Sequence, residues 1–107
     1  MYGHIPDMSH FAHFARRVRE RIGPHIDAED LWLRIVIAME DQRWDLLRFV
    51  GRTDRNTLRR IWMIRIGADG VFYVLFDHRR FQPITILLPG WTVTNKGQRQ
   101  RLDDQID

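Results

Sequence analysis

The sequence predicts an α+β fold in which two N-terminal helices pack on a three- to four-stranded antiparallel sheet. Three observations support this fold class. Apolar residues recur at helical spacing up to about residue 42, and from residue 58 onward they alternate at strand spacing. Short segments rich in Gly, Asp and Pro separate the later apolar runs, as is typical of turns. At 107 residues the chain is expected to bury one core, so residues 1–107 are predicted to form a single domain.

The first helix is predicted over residues 10–22. Since each residue of a helix rotates by about 100°, one apolar stripe should face the core, formed by Phe11, Phe14, Ala15, Val18 and Ile22. Gly23 and Pro24 follow the stripe and should end the helix, because proline cannot continue the backbone hydrogen bonds. Residues 1–7 lack such a pattern and are expected to form an arm on the body of the domain.

The second helix is predicted from Asp27, as its N-cap, to about Gln42. Glu29 and Asp30 would lie in its first turn, where acidic side chains interact favourably with the helix dipole. Its residues are more apolar than those of the first helix, so it should be more deeply buried. Residues 44–50 fit either a helical extension or a short strand, and Gly51 should close that segment.

Three strands are predicted after this, over residues 58–66, 71–76 and 83–88. Alternation in the first of them places Arg60, Trp62, Ile64 and Ile66 on one face and Arg59, Ile61, Met63 and Arg65 on the other. The second strand is apolar on both faces, which favours a central position in the sheet. Residues 67–70 between them have a hairpin signature. Residues 94–107 are polar and are expected to be a loose or only partly helical tail.

The composition favours a partner that carries negative charge. Lys96 is the only lysine among 17 basic residues, and the formal net charge is +3. The planar guanidinium of arginine binds phosphate oxygens in pairs and stacks on bases, as a nucleic-acid-binding protein requires. A coding bias toward arginine would explain the same composition, so the placement of the arginines matters more than their number.

The composition also excludes several classes of protein. The chain has no cysteine, and therefore no disulfide, thiolate nucleophile or zinc site of the finger kind. No apolar run approaches the roughly 20 residues needed to cross a bilayer, and the first residues do not resemble a secretion signal. We therefore expect a cytoplasmic protein with no membrane partner.

The densest group of chemically useful side chains lies on the flank of the first helix. His10, Arg17 and Arg21 fall within about 40° of one another beside the apolar stripe, and His13 lies one step further round. Histidine exchanges protons near neutral pH, and arginine stabilises charge on a phosphate. Cleavage of RNA by its own 2′-hydroxyl group needs a base, an acid and a cationic clamp, and no metal. A solvated helix face, with the arginines paired to Glu20 or to other acids, is the structural alternative.

Further basic and aromatic residues are candidates for nucleic-acid contacts. His78, Arg79 and Arg80 cluster in the turn after the central strand, where a solvated hairpin tip is the alternative. Arg65 alternates with apolar residues, so on a partly covered face it would need an acidic partner or a ligand anion. Among the aromatic residues Tyr73 and Trp91 are the best candidates for base stacking, and core packing is the alternative.

No metal or other cofactor is expected. His10 and His13 have a usable i, i+3 spacing for a metal ion, but no carboxylate stands at a fixed spacing from them. The sequence also has no glycine-rich phosphate loop.

Two motifs resemble those of the barnase, EndoU, colicin and RelE superfamily of ribonuclease toxins. One is the helix pattern His13-x3-Arg17-x3-Arg21 followed by Ile-Gly, and the other is the late strand Pro-Ile-Thr85-Ile-Leu. The resemblance covers most of residues 8–91 in architecture, and these few positions in identity. It implies a site formed by His13, Arg17, Arg21 and Thr85, with His10 as an alternative base. The chain lacks a lysine-rich central strand of the RelE type and a clear acid–base glutamate of the barnase type, so the base and the acid stay unassigned.

The sequence therefore leads to two expectations from different classes of function. The first is a small metal-independent ribonuclease of toxin type, bacterial or phage-borne, that acts on RNA and is neutralised by an antitoxin or immunity protein. The second is a non-catalytic accessory or inhibitor protein of phage type that binds nucleic acid or an acidic protein through its arginine face. A DNA-binding helix-turn-helix protein ranks below both, because both helices are too apolar for that role.

Overall fold

The computed structural model of the protein describes residues 8–53, 56–95 and 97–103. In chain order the elements are α1 (Phe11–Arg21), α2 (Ala28–Glu40), β1 (Leu47–Thr53), β2 (Asn56–Ile66), a 3-10 turn (Gly67–Asp69), β3 (Gly70–Asp77), β4 (Gln82–Leu87), β5 (Thr92–Asn95) and β6 (Gln98–Arg101). The predicted α+β fold, with its helices packed on an antiparallel sheet, is confirmed. The arm predicted over residues 1–7 lies outside the described residues.

The main sheet has the strand order β1-β2-β3-β4, and every neighbouring pair is antiparallel. The prediction that the apolar strand β3 lies inside the sheet is confirmed. One face carries the helices, and its buried residues include Trp62, Val74 and Ile86. The opposite face carries a smaller cluster around Ile61 and Tyr73. The predicted alternation along β2 therefore sorts its residues between two separate cores.

Helix α1 docks on β4 through the predicted stripe. Phe14 and Val18 are fully buried, and the ring of Phe14 meets Trp32 of α2 edge-on, with ring centroids 5.5 Å apart. Phe11 and Ile22 pack at the margin of the same cluster. The stripe thereby fixes which flank of α1 faces β4.

Helix α2 begins where the sequence predicts. The Asp27 side chain accepts a hydrogen bond from the backbone N–H of Asp30 at 3.1 Å, which satisfies one of the free amides of the first turn. Leu31, Ile35 and Met39 are buried at helical spacing. No helix in the described part of the chain is long and apolar enough to cross a membrane.

The ambiguous segment after α2 is resolved in favour of a strand. Gln42 adopts a left-handed backbone with φ 54°, which ends the helix, and β1 starts at Leu47 and pairs with β2. Gly51 does not close the strand, as was expected, but continues it past a shift in register. The Gln100 Oε1 atom lies 2.7 Å from where a Cβ atom of Gly51 would be, so a larger residue would displace the Gln100 side chain.

The expectation of a loose tail from residue 94 is wrong for the residues that the structure describes. They form the hairpin of β5 and β6, and the following Leu102 is fully buried against Ile61 and Tyr73. The Tyr73 hydroxyl group donates a hydrogen bond to the Asp103 carbonyl oxygen at 2.6 Å. No helix covers this face of the sheet, so its apolar side chains would otherwise contact water. Packing Leu102 against them removes apolar surface from water, which is favourable.

Candidate functional site

A row of polar side chains runs along the flank of α1 beside the edge strand β4. His13, Arg17 and Arg21 are each half-buried and follow one another at intervals of four residues, so about 6 Å of helix axis separates neighbours. Near the start of β4 the backbone N–H of His10 donates to Gln82 Oε1 at 2.9 Å. Near its end Arg21 reaches the strand. We call His13, Arg17, Arg21 and Thr85 the helix-flank site.

Arg21 joins the helix to the far side of β4. Its Nη1 atom donates hydrogen bonds to Thr85 Oγ1 at 3.3 Å and to the carbonyl oxygen of Ile86. Thr85 pairs in register with Leu75, whose side chain belongs to the core on the helix-free face. Arg21 therefore curls around the edge of the sheet to meet the threonine. The structure thus brings together two side chains that the resemblance assigned to one site, although they belong to opposite faces.

Trp91 completes this end of the site. Its ring lies under the Arg21 guanidinium, with 4.6 Å between the guanidinium carbon and the ring centroid, and 38% of the residue is exposed. Burial, followed by the charge of Arg17, lowers the pKa of Arg21, whereas Glu20 raises it. Arginine stays protonated under all ordinary conditions, so the site keeps a fixed cation held on an aromatic face.

The surroundings of His13 favour the neutral form of its imidazole. Burial lowers the pKa of its imidazole first, and the charges of Arg17, Arg16, Arg21 and His10 lower it further. Its Nδ1 atom lies 3.4 Å from Nη2 of Arg16. An imidazole that is neutral near pH 7 and surrounded by cations is suited to accept a proton from a substrate bound by those cations.

Arg17 shows both the predicted chemistry and its structural alternative. Its Nη1 atom donates to Glu20 Oε1 at 2.7 Å, and this bond is the main cause of the lowered pKa of Glu20. This bond uses one of the five N–H donors of the Arg17 guanidinium group. The Nε atom of Arg17 is buried and has no hydrogen-bond partner among the described residues. Arg17 therefore has donor capacity beyond its ion pair.

His10 is turned to a different partner, which the sequence analysis missed. Its Nε2 atom lies 3.1 Å from Oδ2 of Asp77, a carboxylate that is only 5% exposed. Burial raises the pKa of Asp77, but hydrogen bonds from the Arg80 amide, His10 and the Arg79 amide outweigh that effect, and the net pKa is lowered. The sequence did hold one indication of this contact. Asp77 is the one acidic residue of the otherwise apolar strand β3, and a buried carboxylate needs hydrogen-bond partners.

The predicted basic turn lies beside the start of α1. The backbone amides of Arg79 and Arg80 donate to Oδ1 of Asp77 at 2.9 and 3.1 Å. Arg80 also donates from Nη1 to Ser9 Oγ at 3.3 Å. Both side chains are exposed. The turn therefore presents two further cations next to His10.

Three other predicted contact residues lie apart from the helix-flank site. Arg65 shares the partly covered helix-free face with Ile61, but its own side chain is exposed at the end of β2, so burial does not force it to pair with an acid or a ligand anion. Tyr73 is 2% exposed and belongs to the core on the helix-free face, where its ring is unavailable for base stacking. His78 is half-buried on the helix-bearing face and accepts a hydrogen bond from Trp62 Nε1 at 3.0 Å.

No protein-family model, curated protein or solved structure matches this chain. The class of protein is therefore the one that the fold itself defines, an α+β domain with two helices on a four-stranded antiparallel sheet. Because a fold supports many functions, the function has to be argued from the site.

His78 provides a test of the electrostatics near this site. Burial, followed by the charge of Arg60, lowers its pKa from the ordinary 6.5, although Asp77 raises it. The unfolded chain then binds the proton more readily, so the contribution to stability is complete above about pH 6.5 and is lost as the pH falls through the lower folded-state pKa. We expect His78→Gln, which keeps an acceptor for Trp62, to reduce the loss of unfolding free energy between pH 8 and pH 5.

Urea unfolding at both pH values measures this effect. His25→Gln is the matched control, because His25 is exposed and pairs with Asp69 elsewhere on the surface. An equal pH dependence in wild type and His78→Gln would contradict the assignment.

Proposed function

We propose that this protein is a small, metal-independent ribonuclease of toxin type that cleaves RNA in the cytoplasm at the helix-flank site. One observation carries the proposal: His13, with a lowered pKa, lies one and two helical turns from Arg17 and Arg21. The hydroxyl group of Thr85 is hydrogen-bonded to that second arginine. On this proposal His13 is the base, the two arginines are the cationic clamp and Thr85 is an orienting hydroxyl group, while solvent water serves as the acid.

The reaction is a transfer of the phosphodiester within the RNA. The 2′-oxygen forms a bond to phosphorus while the bond from phosphorus to the 5′-oxygen breaks, which leaves a 2′,3′-cyclic phosphate and a 5′-hydroxyl end. His13, whose pKa is lowered, takes the proton of the 2′-hydroxyl group, and the departing 5′-oxygen takes up a proton from solvent water. His10 is the alternative proton-transfer group, and its bond to Asp77 holds the ring in one orientation.

The two arginines bind the phosphate and stabilise the charge that builds up on its oxygens. Each guanidinium presents a planar set of donors that matches two phosphate oxygens. Arg21 is fixed by Thr85 and by the ring of Trp91 before any substrate arrives. Such preorganised donors need no rearrangement during the reaction, and this is the main source of their catalytic effect.

A second candidate function is binding without cleavage. It is favoured by the ion pair of Arg17 with Glu20 and by the bonds of Arg21 to β4, because both arginines already serve the fold. On this proposal the arginine face binds nucleic acid or an acidic protein, as an accessory or inhibitor protein of phage type would. Salt-dependent binding without turnover is its signature.

The test is cleavage of fluorescently labelled single-stranded RNA by purified wild type and by the His10→Ala, His13→Ala double variant. We expect the double variant to be slower by roughly 10²- to 10⁴-fold, the usual contribution of general acid–base catalysis. The wild-type products should end in a 2′,3′-cyclic phosphate. Expression should also harm the host unless a neutralising antitoxin or immunity protein is supplied.

His25→Ala is the control for the loss of one imidazole outside the site, and its cleavage rate should equal that of wild type. Equal cleavage by wild type and the double variant would overturn the proposed chemistry. The absence of cleavage in both, together with salt-dependent RNA binding, would replace it with the binding function.

A further inference from the structure

The helix-bearing face of the main sheet is covered on one side and open on the other. Both helices contact β4, at one edge of the sheet. Toward the opposite edge two large aromatic residues remain open, with Trp44 52% and Phe49 48% exposed. Exposed apolar groups that adjoin one another and are bordered by charges are typical of interaction sites.

These aromatic residues form an ordered layer. The ring of Trp44 lies parallel to that of Trp62, with centroids 5.1 Å apart and 10° between the planes. Phe49 meets Trp62 at 68°, with centroids 5.4 Å apart. Trp62 is itself fixed, because its Nε1 atom donates to His78 Nε2 at 3.0 Å. One face of the Trp44 indole is therefore occupied by Trp62, and the layer ends in an aromatic ring at the surface.

Two arginines stand next to this layer on the same face. Arg60 is two residues from Trp62 along β2, so both side chains point the same way. Arg52 of β1 lies directly opposite Arg60, just as Phe49 lies opposite Trp62. The two guanidinium groups therefore place positive charge on the same face as the exposed aromatic rings, where the phosphate of a bound strand would lie.

We propose that this surface, formed by Trp44, Phe49, Trp62, Arg52 and Arg60, binds single-stranded RNA away from the helix-flank site. A nucleobase stacks on the outer face of Trp44, and a neighbouring phosphate binds between the two arginines. Stacking on an aromatic platform beside a cationic track is how single strands are held without sequence readout. Duplex RNA does not fit, because its bases are already stacked.

The choice of RNA as the ligand rests on the proposed function, and the position of the surface suits it. Arg59, the neighbour of Arg60, lies opposite Asp77 in the register of β2 and β3, and the Asp77 side chain contacts His10. The arginine pair of this surface therefore lies toward the end of the sheet where α1 begins. Two to three strand spacings of about 4.8 Å separate it from β4, a distance that a few nucleotides span. Arg79 and Arg80 lie in the turn that follows Asp77, at the same end of the sheet.

Binding is tested with a 12-nucleotide RNA that carries 2′-O-methyl groups throughout, since this probe cannot be cleaved through its 2′-oxygens. We expect Trp44→Ala to weaken its binding about tenfold, the size of one lost base stack. Trp44→Phe keeps an aromatic face and should keep most of the affinity. The double variant Arg52→Gln, Arg60→Gln should lower the slope of log affinity against log salt by about 0.7 for each phosphate that is no longer neutralised.

Leu33→Ala and Arg34→Gln are matched controls on the exposed face of α2 and should bind as wild type. Circular dichroism shows whether each variant is folded. Wild-type affinity in a folded Trp44→Ala variant would overturn the proposal, and so would equal binding of a duplex or a dimer that forms through this face. Because the probe resists cleavage, loss of the catalytic proposal leaves this result unaffected.

Discussion

Replacing Arg21 by alanine is expected to slow RNA cleavage by roughly 10²- to 10³-fold, the usual cost of removing one preorganised donor from a site that stabilises developing charge. The variant loses the guanidinium that contacts Thr85 Oγ1 and lies over the ring of Trp91. Single-turnover cleavage of labelled RNA measures the effect on the chemical step. Arg21→Lys keeps the charge but loses the planar guanidinium group, so its cleavage rate should lie between those of wild type and Arg21→Ala.

The matched control is Arg19→Ala. Arg19 lies on the same helix and carries the same charge, but it is exposed and lies outside the helix-flank site. Its cleavage rate should stay close to that of wild type. If Arg19→Ala and Arg21→Ala were slowed alike, the effect would be general charge attraction rather than binding of the reacting phosphate.

Replacing Phe14 by alanine should destabilise the protein by about 3–5 kcal/mol, the usual cost of emptying a phenylalanine site in a core. Phe14 is fully buried and meets Trp32 edge-on, so its truncation leaves a cavity in a close-packed core. Since domains of this kind are stable by about 5–15 kcal/mol in total, the variant is expected to be marginally folded. The free energy of unfolding in urea measures the change.

Leu33→Ala removes an apolar side chain of similar size from the exposed face of α2, where the residue is 50% exposed. Its effect on the free energy of unfolding should stay within about 0.5 kcal/mol, as for most surface substitutions. A loss from Phe14→Ala no larger than about 0.5 kcal/mol, the range expected for the surface variant, would contradict docking of α1 through its stripe.

The elements with strong local patterns could be predicted from the sequence. The stripe of α1 and the N-cap at Asp27 depend on residues that are neighbours along the chain, as does the apolar run of β3. Local spacing therefore defines them. The pairing of Arg17 with Glu20 was among the alternatives for the same reason, since a spacing of three residues brings two side chains together on a helix.

The candidate site could be predicted only in part. The cationic flank of α1 was predicted from the angular spacing of residues along a helix. The role of Thr85 was predicted from the family resemblance alone. No local pattern indicated that His10 would meet Asp77, which is 67 residues away in the chain. Trp44 was assigned no role, because its exposure depends on which half of the sheet the helices leave open.

By itself the sequence determined the helices, the central strand and the row of cations on one flank of α1, because short-range spacing decides which face of an element is apolar. Only the tertiary structure decided that Arg21 curls around β4, that Leu102 closes the helix-free face, and that Trp44 stays open. These outcomes depend on which surfaces remain uncovered after the helices have docked. Because burying those apolar surfaces is favourable, residues that are distant in the chain come into contact.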